Sequence, residues 1–231
     1  MSSWERLLLE AYNALDESYR EFLEEYANYF PSKENYFNAF TTLPKNKVKY
    51  ILFGQDPYPR LESAGGYAFI DSNVKNLFTS TGLSKEVNKA TSLRNFIKMA
   101  LVASKNLSMD NTSQDAITKV DKTNMINSIT ELRINFENNG VLLLNTALIF
   151  TDKKSSGKHV KAWKPFIQKL LLGLEKEQPK IILFGTHAKA LKKQLSLEYF
   201  ETIELEHPYN HTFLSNPKAL ELFAPMKLLE K

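Results

Sequence analysis

Lys49-Tyr50-Ile51-Leu52-Phe53-Gly54-Gln55-Asp56-Pro57-Tyr58-Pro59 is the stretch whose reading decides the fold. Tyr50 to Phe53 is an unbroken apolar run between polar neighbours. That pattern suits a strand covered on both faces in a parallel sheet. The run stops at Gly54, and Pro57 and Pro59 forbid further pairing and stiffen the turn. A carboxylate, Asp56, is thereby set on a rigid loop at the carboxyl end of a buried strand, where open α/β sheets form their ligand crevices. The plain alternative is a surface turn, in which Asp-Pro is common.

Outward from this stretch, the pattern repeats. Gly140-Val141-Leu142-Leu143-Leu144-Asn145 is a second buried strand that ends in a polar residue, and Lys180 to Gly185 is a third. Thr202 to Glu206 alternates and is shorter, which predicts an edge strand running into His207-Pro208-Tyr209-Asn210-His211. Helical spacing of apolar residues predicts one helix over about 4–30, a short one over 35–42, and others from Leu93, over 125–136, over 163–174 and over 187–195, the last with His187 at its start. Pro217 opens a final helix through Leu222. Thr91 or Ser92 is the expected cap of the helix from Leu93. Tyr67 to Ile70 reads as a short extended segment, 71–90 as polar chain anchored by Leu77, Phe78 and Leu83, and 106–122 as a loop. Residues 151–159 read as a mobile basic loop carrying His159. Strands alternating with helices give an α/β fold: a single-domain α/β/α sandwich over 1–231, with a central four-stranded, mainly parallel sheet.

Composition sets the outer bounds. The chain has 231 residues, 43% hydrophobic and 24% charged, and a net charge of +4. The size permits one domain with a substantial core. The mild positive charge permits a polyanionic partner without requiring one. There is no cysteine, which excludes disulfides, thiol nucleophiles and cysteine-ligated clusters. The charged start lacks a signal-peptide core, and no apolar run reaches membrane-spanning length. A monomer in the cytoplasm, unattached to membrane, is the expectation.

The polar residues that end the strands carry the chemistry. In a parallel sheet, Gln55-Asp56, Asn145 and His207 belong at one edge, so a carboxylate, an amide and an imidazole converge. Asp56 can activate a water. Asn145 offers a donor and an acceptor in one plane, as reading a nucleobase edge requires. His207 can stabilise negative charge on a leaving group, and Tyr58 and Phe69 can shape an aromatic slot. Together they suit hydrolysis that expels a planar heterocycle. His207 and His211 have an i, i+4 spacing, but Pro208 interrupts any helix and no third ligand accompanies them, so no metal is expected.

These residues resemble the uracil-DNA glycosylases of the common, cysteine-free type. Gly54 to Tyr58 looks like that family's water-activating motif. Phe69, thirteen residues after Asp56, falls where the family has its uracil-stacking Phe. Gly140 to Thr146 is similar to its strand bearing the uracil-reading Asn, and His207-Pro208 to the start of its catalytic-His, DNA-intercalation loop. Trp163 and Gly185 to Ala188 also fall in family-like places. The agreement runs over about 47–215 in the same order and leaves the first 45 residues uncovered.

The resemblance implies roles. Asp56 positions the water that attacks the deoxyribose C1′, and His207 stabilises the departing uracil anion. Backbone groups of Gln55 and Asp56 hold the uracil, Tyr58 blocks a thymine methyl, Phe69 stacks on the flipped base, and Asn145 reads its edge. Ser92 matches a phosphate-contacting Ser. No metal or other cofactor is implied; the partners are uracil-containing DNA and a small protein inhibitor. Pro59 stands where the family usually has His, and Tyr209-Asn210-His211 replaces its usual Ser-Pro-Leu. Those changes mark a divergent member. They leave Tyr209 as a phosphate contact, His211 at the wedge position, and Leu214 or Phe213 as the apolar wedge. Two alternatives stay open: a non-catalytic uracil-DNA-binding relative, and an α/β hydrolase acting on a free nucleoside.

Overall fold

A computed structural model of the chain describes residues 3–26, 28–186 and 188–231. The expected role of His187 at a helix start lies outside the described residues. In chain order the elements are α1 (Glu5–Asn13), α2 (Glu17–Glu25), β1 (Tyr50–Gly54), β2 (Phe78–Thr79), β3 (Gly82–Leu83), α3 (Lys85–Lys89), α4 (Thr91–Ala103), α5 (Gln114–Thr118) and α6 (Ile129–Asn138). They continue with β4 (Val141–Asn145), α7 (Ser156–Leu172), β5 (Lys180–Phe184), α8 (Ala188–Leu195), β6 (Thr202–Leu205) and α9 (Pro217–Phe223). The fold is α/β, with a four-stranded parallel sheet of order β4-β1-β5-β6 flanked by helices. The chain divides into two compact units. One comprises Met1–Asp71, Gly140–Leu183 and His187–Glu204; the other comprises Ser72–Asn139, Phe184–Thr186 and Leu205–Lys231.

The first unit holds the sheet except for Phe184 and Leu205, the last residues of β5 and β6, which fall in the second. β1 pairs in parallel with β4, Tyr50 opposite Val141 and Gly54 opposite Asn145, and on its other side with β5. Ile181 donates its N–H to Glu201 O, and Gly185 further along donates to Leu205 O, so β6 runs the same way. Every residue of β4 is buried, while β6, at the edge, buries only Leu205. The difference follows from position, because an inner strand is covered on both faces. Ile51, Phe53, Leu142, Leu144, Ile181 and Leu183 join a core completed by Trp163 and Phe166 of α7. Trp4 is buried there too and donates its indole N–H to Leu43 O at 2.7 Å, which fixes the start of the chain.

Several expectations are corrected here. The helix expected over about 4–30 is two helices, because the Asp16 carboxylate accepts from Ser18 N–H at 3.0 Å and caps a new start. The short helix expected over 35–42 is a single 3-10 turn at Asn38–Phe40. Tyr67 to Ile70 is not extended: the chain bends there and Phe69 takes a φ of 68°. The basic segment over 151–159 is not a loop throughout. α7 starts at Ser156, and His159 is buried on its inner face, bonded to the Tyr19 hydroxyl at 2.7 Å and the Thr151 hydroxyl at 2.9 Å.

The second unit is built on a cluster of aromatic rings. Phe96 of α4 lies 5.6 Å from Phe136 of α6, 6.3 Å from Phe213 and 5.1 Å from Phe223 of α9. Residues 71–90, read as polar chain, contain the β2–β3 hairpin and α3; Leu77, Phe78 and Leu83 are its buried anchors. The loop expected over 106–122 contains α5, capped by Ser113. α6 begins at Ile129 rather than Met125, because Ser128 and Glu131 form a capping box. Neither Thr91 nor Ser92 caps α4: Ala90 stands at the cap without a side-chain hydrogen bond, and Ser92 lies inside the first turn.

Candidate functional site

In the first unit, the register of β1 on β4 sets Gly54 beside Asn145, so both chains leave the sheet together. The exits stay tied. Thr146 donates its N–H to Gly54 O at 2.9 Å and its hydroxyl to Gln55 O at 2.8 Å, and Ala147 N–H reaches Gln55 O at 2.9 Å. Gly54 is required by this closeness, because a Cβ there would stand 2.2 Å from Asn145 Oδ1 and 3.1 Å from Ala68 Cβ. The Asn145 side chain, 5% exposed, thus packs directly on Gly54, the residue that leads into Gln55 and Asp56.

Beyond Gly54 the loop folds back on itself. Ala64 bridges Asp71 to close its neck, and Ala68 N–H donates to Leu143 O at 3.1 Å, which brings the Phe69 segment beside β4. Tyr58, half-buried, directs its hydroxyl at Phe69 O, 3.4 Å away. Burial, with the Asp71 carboxylate nearby, pushes the Tyr58 phenol up to about 12, so it stays neutral across the working range. Phe69 takes a positive φ of 68°, which only a closely constrained loop sustains in a non-glycine residue. Gln55, Asp56, Tyr58, Phe69 and Asn145 all lie on segments at this one edge of the sheet.

A residue not singled out from the sequence joins them. Ser156, 8% exposed at the start of α7, donates its hydroxyl to Asp56 Oδ2 and accepts from Gln55 Nε2 at 3.1 Å. Nothing local in Ser155-Ser156-Gly157 signals this; the contact joins segments a hundred residues apart.

The second unit carries the other half of the predicted set. His207 is exposed and follows β6; its Nδ1 accepts from Tyr209 N–H at 3.0 Å. That bond fixes Nδ1 as acceptor and leaves Nε2 to carry the proton, so the ring presents a donor outward. Gly185, with a φ of 75°, lets the chain pass so close that a Cβ would meet His207 Cβ at 3.2 Å. Phe184 flanks the imidazole edge-on at 6.3 Å. The loop is held from below by Asn95, buried on α4, whose amide donates to Pro208 O at 2.8 Å and to Tyr209 O at 3.2 Å. Glu206 holds its far end through Asn210 Nδ2 at 3.0 Å and the Thr212 hydroxyl at 2.5 Å. Sequence reasoning missed Asn95 and Glu206, whose roles come from the closed loop rather than from any motif.

Tyr209 and His211 are exposed at the loop's tip, Tyr209 at 66%. Ser92 lies one turn before Asn95 on α4 and on the same face. Leu214 and Phe213 are buried, Phe213 within the aromatic cluster. Among the described residues no group of three His, Asp or Glu side chains is placed to hold a metal ion. No helix of the described residues is long and apolar enough to cross a membrane.

A model of the Uracil DNA glycosylase superfamily matches residues 40–225. The uracil-DNA glycosylase of Shouchella clausii is 28% identical over 176 residues, a match covering 74% of this chain and 62% of that relative. The chain therefore spans under two-thirds of the length of such curated relatives. The crystal structure of wild-type UNG from Nitratifractor salsuginis is 54% identical with a TM-score of 0.97, covering 100% of this chain and 93% of that one. That likeness takes in the first 45 residues, which the motifs leave uncovered. Mimivirus UNG Y322L, solved in complex with UGI, shares the fold at 19% identity and a TM-score of 0.57, over 90% of this chain and 70% of that one.

Proposed function

Because the chain belongs to the uracil-DNA glycosylase superfamily, we propose that it hydrolyses the N-glycosidic bond of deoxyuridine in DNA and releases free uracil, the first step of base excision repair. The reading rests most on one observation. A buried amide, Asn145, lies against the glycine that opens the carboxylate loop, in a space that no other residue at position 54 would leave free. A buried amide is costly unless paired; a uracil edge, with a carbonyl acceptor and an imide donor, pairs with it completely.

The reaction follows from the neighbouring groups. The target atom is out of reach in stacked DNA, so the nucleotide is extruded into the site. Phe69 stacks on the base, and Tyr58, held neutral, fills the space that a thymine methyl would need. Backbone groups of Gln55 and Asp56 and the amide of Asn145 hold the uracil edge. Asp56 orients a water toward the deoxyribose C1′ as the bond to nitrogen lengthens. The proton on His207 Nε2 stabilises the charge that develops on the leaving uracil. Water supplies the hydroxyl on C1′, uracil leaves with the bonding electrons, and the water's remaining proton, released past Asp56, is balanced by the proton the uracil anion takes up to become free uracil. None of these steps needs a metal or an organic cofactor.

The DNA is held differently. Ser92 and Tyr209 contact phosphates, and His211 is exposed two residues beyond Tyr209. A wedge must reach the duplex, so the burial of Leu214 and Phe213 removes them from that task and leaves it to the exposed His211 at the wedge position. Uracil-containing DNA is the partner this function requires, and a small protein inhibitor is the further one the family resemblance implies.

The test is Asp56→Asn. Uracil release falls by about 10²–10⁴-fold while binding to uracil-containing oligonucleotide persists. Undiminished release by the variant overturns the role of Asp56. Equal release from free deoxyuridine and from the oligonucleotide would point to a nucleoside hydrolase instead.

A further inference from the structure

We infer that Ser156 is a positioning residue for Asp56: its hydroxyl, oriented by Gln55, pins one carboxylate oxygen so that the other faces the attacking water. This rests on the water-positioning role proposed for Asp56. The direction of the hydrogen-bond chain is fixed by its members. Gln55 Nε2 can only donate, so at 3.1 Å it takes a lone pair of Ser156 Oγ. The single hydroxyl proton is then left for Asp56 Oδ2, which accepts it. Amide, hydroxyl and carboxylate thus run in one order only.

The carboxylate needs such a partner. The terminal torsion of an Asp side chain is broad and roughly two-fold. Pro57 restricts the backbone of Asp56 but leaves that torsion open. Ser156 closes it from a rigid place, the first turn of α7, a helix anchored by Trp163, Phe166 and Ile167 in the core. Ser156 is 8% exposed, so bulk water competes little for the carboxylate oxygen it holds. Ser156 acts through Asp56, the group its hydroxyl bonds.

The experiment measures single-turnover uracil release from a single-stranded deoxyuridine oligonucleotide, with KM and thermal midpoint. The proteins are wild type, three Ser156 variants, Asp56→Asn and one double variant. Ser156→Ala is expected to lower the rate about 10- to 100-fold, the scale of a misplaced catalytic group, with KM within about twofold. Ser156→Thr, which keeps the hydroxyl, restores most of the rate. Ser156→Cys keeps the volume but offers only a weak donor and shows the same loss as Ala, which covers the case in which Ala disturbs the fold. In an Asp56→Asn background, Ser156→Ala adds no more than about twofold, because residues that act as one unit are not additive. A wild-type rate in Ser156→Ala, a loss that Thr fails to restore, or a full additive loss on Asp56→Asn overturns the inference. Absence of release by the wild-type protein would bring down the reading of Asp56 and this inference with it. Release by wild type with Ser156→Ala unimpaired brings down this inference alone.

Discussion

Gly54→Ala tests the packing that makes the site. The backbone at Gly54 is an ordinary strand conformation, so alanine meets no conformational penalty there; the effect is steric. The new methyl would stand 2.2 Å from Asn145 Oδ1 and 3.1 Å from Ala68 Cβ. The main chains cannot part to make room, since Thr146 and Ala147 are bonded to Gly54 O and Gln55 O at 2.9 Å. The amide has to retreat, by about 1 Å, to regain ordinary contact. A displacement of that size costs about 10²-fold in rate, and crowding the site costs about 1–3 kcal/mol of stability. A chain of this length loses about 2–4 °C in thermal midpoint for each kcal/mol. The assay is single-turnover release from oligonucleotides carrying uracil or cytosine, beside a thermal melt. Slower uracil release and weaker discrimination, in a protein that still melts cooperatively, are expected. A folded Gly54→Ala protein with wild-type rate and wild-type discrimination would refute the placement of Asn145 as the reading group.

Three further outcomes concern other parts of the molecule. Asn95→Leu keeps the volume but removes the donor to the Pro208 and Tyr209 carbonyls; it costs about 1–3 kcal/mol, read in a melt, and slows uracil release because the His207 loop loses its anchor. Tyr209→Ala, at an exposed position, changes stability by less than about 0.5 kcal/mol yet lowers release from double-stranded substrate more than from single-stranded, in paired rate measurements. Burial holds the His159 imidazole below the ordinary histidine value, against the opposing pull of Asp152 and Asp56. The folded state then favours neutral His159 more than the unfolded chain does. Its stabilisation is present above the ordinary value near 6.5 and is lost as pH falls through the lowered folded value. His159→Gln flattens that acid-side decline, seen as thermal midpoints measured from about pH 7 to about pH 5.

The strands were legible because burial on both faces leaves an unbroken apolar run, and Tyr50 to Phe53 and Val141 to Leu144 cannot be exposed without great cost. The polar residues that end them were legible for the same reason: Asn145 stands out against the run it closes. The break at Asp16 was hidden because both helices present one continuous apolar pattern, and only the carboxylate bond to Ser18 separates them. His159 reads as a loop residue in the sequence because lysines and Gly157 dilute the pattern. It belongs to the buried face of α7 with Trp163, Phe166 and Ile167, and its polarity is met by Tyr19 and Thr151. The positive φ of Phe69 was not legible at all, since it is imposed by the closed loop and the bond from Ala68 to Leu143. Ser156 and Asn95 escaped notice because their partners are far away in the chain and no spacing rule connects them.

The measurement that bears most directly on the central claim is chromatographic detection of free base from a single-stranded oligonucleotide containing one deoxyuridine, incubated with the wild-type protein, beside matched thymine and cytosine oligonucleotides. The account predicts release of uracil alone, leaving an abasic site that alkali cleaves. A folded protein that binds the oligonucleotide and releases no uracil, or releases thymine and cytosine as readily, would contradict it.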